Sequence, residues 1–145
     1  MMAHAELVIR PFVEDDSADV IALWQRAGLT RPWNDPARDI ARKMTVAPEL
    51  FLVGCVAGTL VASAMGGYDG HRGWVNYLAV DESCRGRGYA RRIMDHLEEM
   101  LRARGCPKLN LQVRAENGAA VAFYEAAGYA REDMVSMGKR LIADA

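Results

Sequence analysis

The sequence predicts an α/β domain, a central twisted mixed β-sheet flanked by about four helices, in the order β-α-α-β-β-β-α-β-α-β. Three observations predict it. Consecutive β-type apolar runs crowd the middle of the chain, a grouping that a uniform βαβ repeat does not give. Helical stripes lie on both sides of that group, the clearest being Ala90, Ile93, Met94, Leu97 and Leu101. The 145 residues contain no repeat, low-complexity tract or linker, which predicts one domain over 1–145 with room for a real core.

The elements follow in order. In Glu6–Phe12, Leu7 and Ile9 alternate with charged neighbours, a short strand closed by Pro11. Asp15 or Asp16 caps a helix carrying Val20, Leu23, Trp24 and Ala27 and stopped by Gly28. Arg31-Pro32-Trp33-Asn34 is loop. Asp35-Pro36 supplies a cap and a proline at the first helical position, starting a helix through about Met44. Leu50–Val56 and Leu60–Met65, joined by Ala57-Gly58-Thr59, read as an antiparallel hairpin. Residues 66–70, Gly-Gly-Tyr-Asp-Gly, form a turn-rich break before a buried strand, Trp74–Val80. The long helical stripe ends at Gly105. Leu109, Leu111 and Val113 alternate as a strand, Asn117 to Ala127 is a short helix, and Met134–Leu141 is expected to be a last strand.

Composition bounds the function. Half the residues are apolar and a quarter charged, as in soluble globular domains. Eighteen basic against nineteen acidic side chains make no electrostatic case for nucleic acid or a membrane surface. Residues Met1 to Arg10 are too short and polar for a signal peptide, and no apolar run is long enough to span a bilayer. Cys55, Cys84 and Cys106 are odd in number and widely spaced, and His4, His71 and His96 are equally scattered. Reduced thiols, no metal site, a cytoplasmic location and a monomer or homodimer are the expectations.

The chemistry concentrates in Arg85-Gly86-Arg87-Gly88-Tyr89-Ala90. A strand runs into a loop whose glycines let the backbone turn sharply and approach a ligand closely. A helix starts at once, so its unpaired N–H groups and positive dipole end face the loop. Phosphate suits that end, with Arg85, Arg87 and Arg91 adding charge at the rim; the competing reading is a plain solvated turn. The common nucleotide loops do not fit. Arg91 stands where G-x-G-x-x-G needs its third glycine, the turn does not open a βαβ unit, and no G-x-x-x-x-G-K-[ST] occurs.

Arg85-x-x-Gly88-x-Ala90, between a strand ending Leu78-Ala79-Val80 and a helix, resembles the acyl-CoA-binding motif of the GNAT superfamily of N-acetyltransferases. Residues 116–129, Glu-Asn-Gly-Ala-Ala-Val-Ala-Phe-Tyr-Glu-Ala-Ala-Gly-Tyr, are similar to that superfamily's E-N-x-x-A-x-x-x-Y-E-x-x-G-[FY] segment. The motifs lie in the expected order and the element order of nearly the whole chain fits a GNAT-like fold. Within the superfamily, residues 29–36, 65–73 and 138–142 resemble the bacterial YpeA-type acetyltransferases.

The resemblance implies an acetyltransferase using acetyl-CoA and an amine acceptor, a small molecule or a protein. It implies that backbone amides across Arg85–Ala90, with Arg91, hold the CoA pyrophosphate. It places the pantetheine arm along Leu78, Ala79 and Val80, with a backbone N–H near Leu78 stabilising the oxyanion. Tyr124 is the candidate general acid to the CoA thiolate, against a packed aromatic beside Phe123 and Tyr129. Asn117, two helical turns earlier, contacts the CoA arm or caps its helix. Many members use a glutamate on or near the central strand as base. Here that strand offers Asn76, with Asp69 and His71 in the preceding turn as candidates against turn-forming and surface roles. Trp33, Asn34 and Tyr68 line an acceptor pocket or pack over the sheet. Cys84 is read as structural, because the transfer is direct. The absent carboxylate keeps a non-catalytic CoA-binding module as the alternative, with protein N-terminal acetylation a narrower one.

Overall fold

The computed structural model describes residues 6–144; residues 1–5, including His4, lie outside it. Its sheet has five strands in chain order: β1 (Leu7–Pro11), β2 (Phe51–Val56), β3 (Thr59–Tyr68), β4 (Gly73–Val80) and β5 (Leu109–Asn110). The first four pair antiparallel and β5 joins β4 in parallel, so the sheet is mixed as expected. Four helices flank it: α1 (Ser17–Arg26), α2 (Pro36–Lys43), α3 (Tyr89–Ala103) and α4 (Gly118–Ala126).

Alternation along the strands divides the core into two layers. Leu52, Ala62, Ala64 and Val75 face Ile93, Met94, Leu97 and Leu101 of α3. Phe51, Val53 and Met65 face Val20, Leu23 and Trp24 of α1 and Ile40 of α2. Trp24, Phe51 and Leu97 have no exposed surface at all, so the sheet is a rigid floor for whatever its open edge carries.

Local chemistry explains the boundaries, including several that differ from the expected ones. The Asp35 carboxylate accepts the Ala37 N–H at 2.9 Å ahead of Pro36, the predicted cap. Asp16 precedes α1 but does not cap it. Its carboxylate turns back to accept the Val13 N–H at 2.9 Å and both Arg10 nitrogens at 2.7 and 2.8 Å. The expected break at residues 66–70 is strand as far as Tyr68. Gly66 is there for packing: a Cβ would overlap Leu97 Cδ1 of α3 and stand 3.0 Å from the Leu50 carbonyl. The turn itself is tighter, with Asp69 accepting from the N–H groups of His71 and Arg72 at 2.8 and 2.7 Å.

The C-terminal third departs most. The expected strand at Leu109, Leu111 and Val113 pairs only at Leu109 and Asn110, and Met134–Leu141 forms no strand. Side chains rather than backbone hold the latter segment, through Gln112 to Ser136 at 2.6 Å and through Arg140 to Asn34 and Asp144, with Glu132 just before it bound to Lys108 and Asn110. Met134, Val135 and Met137 are more than four-fifths exposed. β-pattern residues form a strand when the pleat has a face to bury, and this stretch has none.

Candidate active site

The site grows out of an irregularity in β4. Ser63 pairs with Ala79 and Met65 with Asn76, so two β4 residues, Tyr77 and Leu78, stand opposite Ala64 alone. This is a β-bulge, and Tyr77 carries it at φ 54°, a left-handed conformation costing a non-glycine residue on the order of 1–3 kcal/mol. Neighbours hold it there. The Trp24 ring stacks on Tyr77 with centroids 3.8 Å apart. Trp24 Nε1 donates to Ser63 Oγ at 2.9 Å, which donates to the Tyr77 carbonyl at 2.8 Å. The Tyr77 hydroxyl donates to Asp39 Oδ2 of α2 at 2.6 Å. Burial and the bonded carboxylate hold that phenol well above its ordinary pKa.

The bulge shifts the alternation. Val75 and Leu78 both turn to the α3 layer although three positions apart, while Tyr77 turns to the α1 layer. Beyond Trp74, paired with Asn110, β4 and β5 part. Leu78, Ala79 and Val80 therefore present an edge with no strand on the β5 side. Leu78, Val80, Leu111 and Tyr124 all pack on the α3 layer, so α4 closes the same groove.

At the end of β4 lies the arginine–glycine turn. Asp81 receives Arg26 Nη2 at 2.9 Å and the Ser83 N–H at 3.3 Å, which fixes the turn's entry. Gly86 and Gly88 sit at φ 78° and 77°, with open space where a Cβ would be; the left-handed backbone, not crowding, calls for glycine. Gly88 precedes α3 and no side chain caps that helix. The first N–H groups of a fifteen-residue helix are thus free to bind an anion. Arg85 and Arg87 are exposed and pair with no carboxylate among the described residues. Arg91 binds Asp95 at 3.2 Å and reaches the Ala126 carbonyl at the end of α4. Tyr89 is buried and Ala90 half-buried; the buried Cys84 belongs to the core.

On α4, the Asn117 side-chain oxygen accepts the Ala120 N–H at 3.1 Å, so Asn117 caps the helix and its amide NH2 stays available. Tyr124 lies edge-on to Tyr129, with centroids 5.7 Å apart. Burial alone pushes its hydroxyl up to about 12. Tyr129 is held elsewhere, its hydroxyl bound to Glu98 of α3 at 2.6 Å.

The expected acceptor residues do not gather at one place. Tyr68 reaches toward the carbonyls of Gly70 and Gly105 beside the C-terminal end of α3. Asp69 and His71 sit in the β3–β4 turn, and β4 carries the chain about 17 Å from Gly73 to Leu78 at ~3.3 Å per residue. Trp33 is half exposed and Asn34 accepts from Arg140. Asn76 is exposed beside the bulge. Sequence reasoning missed Tyr77, Ser63, Trp24 and Asp39 as a unit. No local pattern marks Asp39 as a partner of Tyr77, because the two are 38 residues apart.

Among the described residues, no group of three or more His, Cys, Asp or Glu is placed to hold a metal ion, and no helix is long and apolar enough to cross a membrane. A surface depression of about 600 Å³ is an open trough between α3 and β1 lined by Ile9, Arg92, His96 and Met100. It is apart from the groove.

A profile of the acetyltransferase (GNAT) family matches residues 11–129. A Yersinia pestis (strain Pestoides F) protein named acetyltransferase is 54% identical over 136 residues, covering 94% of this chain and 96% of that protein. Among solved structures, Ard1 from Thermoplasma volcanium matches with TM-score 0.75 and 30% identity, covering 86% of this chain and 82% of that one. The ribosomal-protein-S18-alanine N-acetyltransferase from Escherichia coli matches with TM-score 0.71 and 25% identity, covering 85% and 77%. With the bulged, splayed strand and the uncapped helix after it, these likenesses close the question of kinship: the chain belongs to the GNAT family of acetyltransferases.

Proposed function

We propose that this enzyme moves the acetyl group of acetyl-CoA to a primary amine by direct attack, with Tyr124 as general acid. One observation carries the reading. An unpaired strand edge, Leu78–Val80, leads directly into a left-handed glycine turn and an uncapped helix N-terminus. An extended amide-bearing arm ending in a pyrophosphate fits that sequence of surfaces. The arm adds as a strand along Leu78, Ala79 and Val80, and the pyrophosphate takes the amides of Arg85–Ala90, with Arg91 at the rim. Asn117 keeps a free NH2 donor toward the same arm.

The amine nitrogen attacks the thioester carbon, whose C=O becomes an oxyanion that the Leu78 N–H, beside the bulge, stabilises. Collapse breaks the C–S bond, the sulfur takes the Tyr124 proton, and the proton shed by the nitrogen returns through solvent to the Tyr124 oxygen, restoring the phenol. At about 12, Tyr124 is fully protonated at neutral pH, so the donor is always loaded.

Tyr124→Phe removes the proton and keeps the packing. We expect kcat to fall about a hundredfold, with acetyl-CoA affinity within about twofold. An unchanged kcat would take Tyr124 out of the mechanism. A narrower reading, acetylation of a protein N-terminus, is favoured by the likeness to the S18-alanine enzyme. A peptide acceptor outrunning small amines would select it.

A further inference from the structure

The groove described so far accounts for the donor, and β4 brings no carboxylate to the acceptor. α2 does. Asp39 lies in the first turn of α2 and its Oδ2 accepts the Tyr77 hydroxyl at 2.6 Å, which anchors the carboxylate at the bulge. Its other oxygen is less committed, with Arg42 Nη1 at 3.4 Å, and about a quarter of the side chain is open to solvent.

The surroundings fit a ligand at that oxygen. Val75 faces α3, so Trp74 and Asn76 face the opposite side, the side of α2. Trp74 is 39% exposed and Asn76 is exposed. An exposed indole, an amide and a half-free carboxylate thus share one side of the strand whose other side and edge serve the donor. The Coulomb partners are uneven. Arg42 is drawn from Asp39 to Asp144, which it binds at 2.6 Å. Lys43, one turn along α2, stands over Gly67 near the pair that Gly67 makes with Trp74.

We infer that Asp39 binds the ammonium group of the acceptor and orients its nitrogen toward the β4 bulge, where the nitrogen gives a proton to solvent before its lone pair attacks. This rests on the acetyltransferase reading. It gives the Tyr77–Asp39 bond two effects: it helps hold the bulge, and it aims one carboxylate oxygen into the open.

Asp39→Asn separates charge from support, because the amide oxygen still accepts the Tyr77 hydroxyl. The assay is thiol release from acetyl-CoA with spermidine, tobramycin, lysine and an alanine-initiated peptide, using the amine that turns over fastest in the unaltered enzyme. The acceptor KM should rise at least tenfold, the loss expected for a charge-assisted contact, with the acetyl-CoA KM within twofold. Asp39→Glu should recover part of that loss. An acceptor KM unchanged in Asp39→Asn would overturn the inference, as would the same rise in Asp69→Asn and none in Asp39→Asn. No thiol release with any of these amines in the unaltered enzyme would instead remove the acetyltransferase reading, and this assignment with it.

Discussion

Asp16 illustrates how single residues set the frame. Its side chain is only 11% exposed, yet it accepts two Arg10 nitrogens and the Val13 N–H, joining β1 to the start of α1. The Arg10 guanidinium holds its carboxyl below the usual carboxylate range. A depressed folded pKa contributes stability above the unfolded value of about 3.9, and that contribution is lost as pH falls through the lower folded value. Asp16→Asn should cost about 2 kcal/mol at neutral pH, since two charge-assisted bonds weaken. Its stability should also fall less steeply than that of the unaltered protein on acidification below pH ~4. Denaturant melts across that range check both, and parallel acid limbs would contradict them. The contrast with Tyr124 is instructive. Asp16 is fully partnered and structural, whereas Tyr124 gets its raised pKa from burial alone, the state the proposed proton donor needs.

At the scale of elements, helix placement was legible in the sequence because caps and stripes are local. Asp35-Pro36, the Ala90-to-Leu101 stripe and Asn117 each mark an edge within a residue. Non-local reasons were illegible. Gly66 reads as a turn signal, yet it sits inside β3 because α3 passes too close for a methyl group. Gly66→Ala should therefore destabilise by about 2 kcal/mol or more through overpacking against Leu97, and Leu97→Ala should relieve part of it in the double variant. Additive losses would show that the helix does not press on that strand. The bulge was equally hidden: nothing in the local pattern of Trp74–Val80 marks Tyr77 as left-handed. Its support arrives from Trp24, Ser63 and Asp39, each far away in sequence.

At the scale of the molecule, the mixed sheet, its two helical layers and the donor groove followed from element order and the motif at Arg85–Ala90. The Tyr77–Asp39 link between the bulge and α2 did not, because it joins residues 38 positions apart through side chains. The C-terminal end adds a long-range tie: Asp144 accepts from Arg42 and from the Asp35 N–H, with Arg140 beside it, holding the tail against α2. In the arrangement proposed above, donor surfaces lie along β4, α3 and α4, and acceptor surfaces along α2 and the outer side of β4. A single sheet separates and joins them. The most direct measurement of that arrangement is amine-dependent transfer itself, followed as thiol released from acetyl-CoA against acetylated amine formed. Equal yields of the two, each requiring both substrates, are the predicted result. Tight acetyl-CoA binding with no amine-dependent thiol release would contradict it.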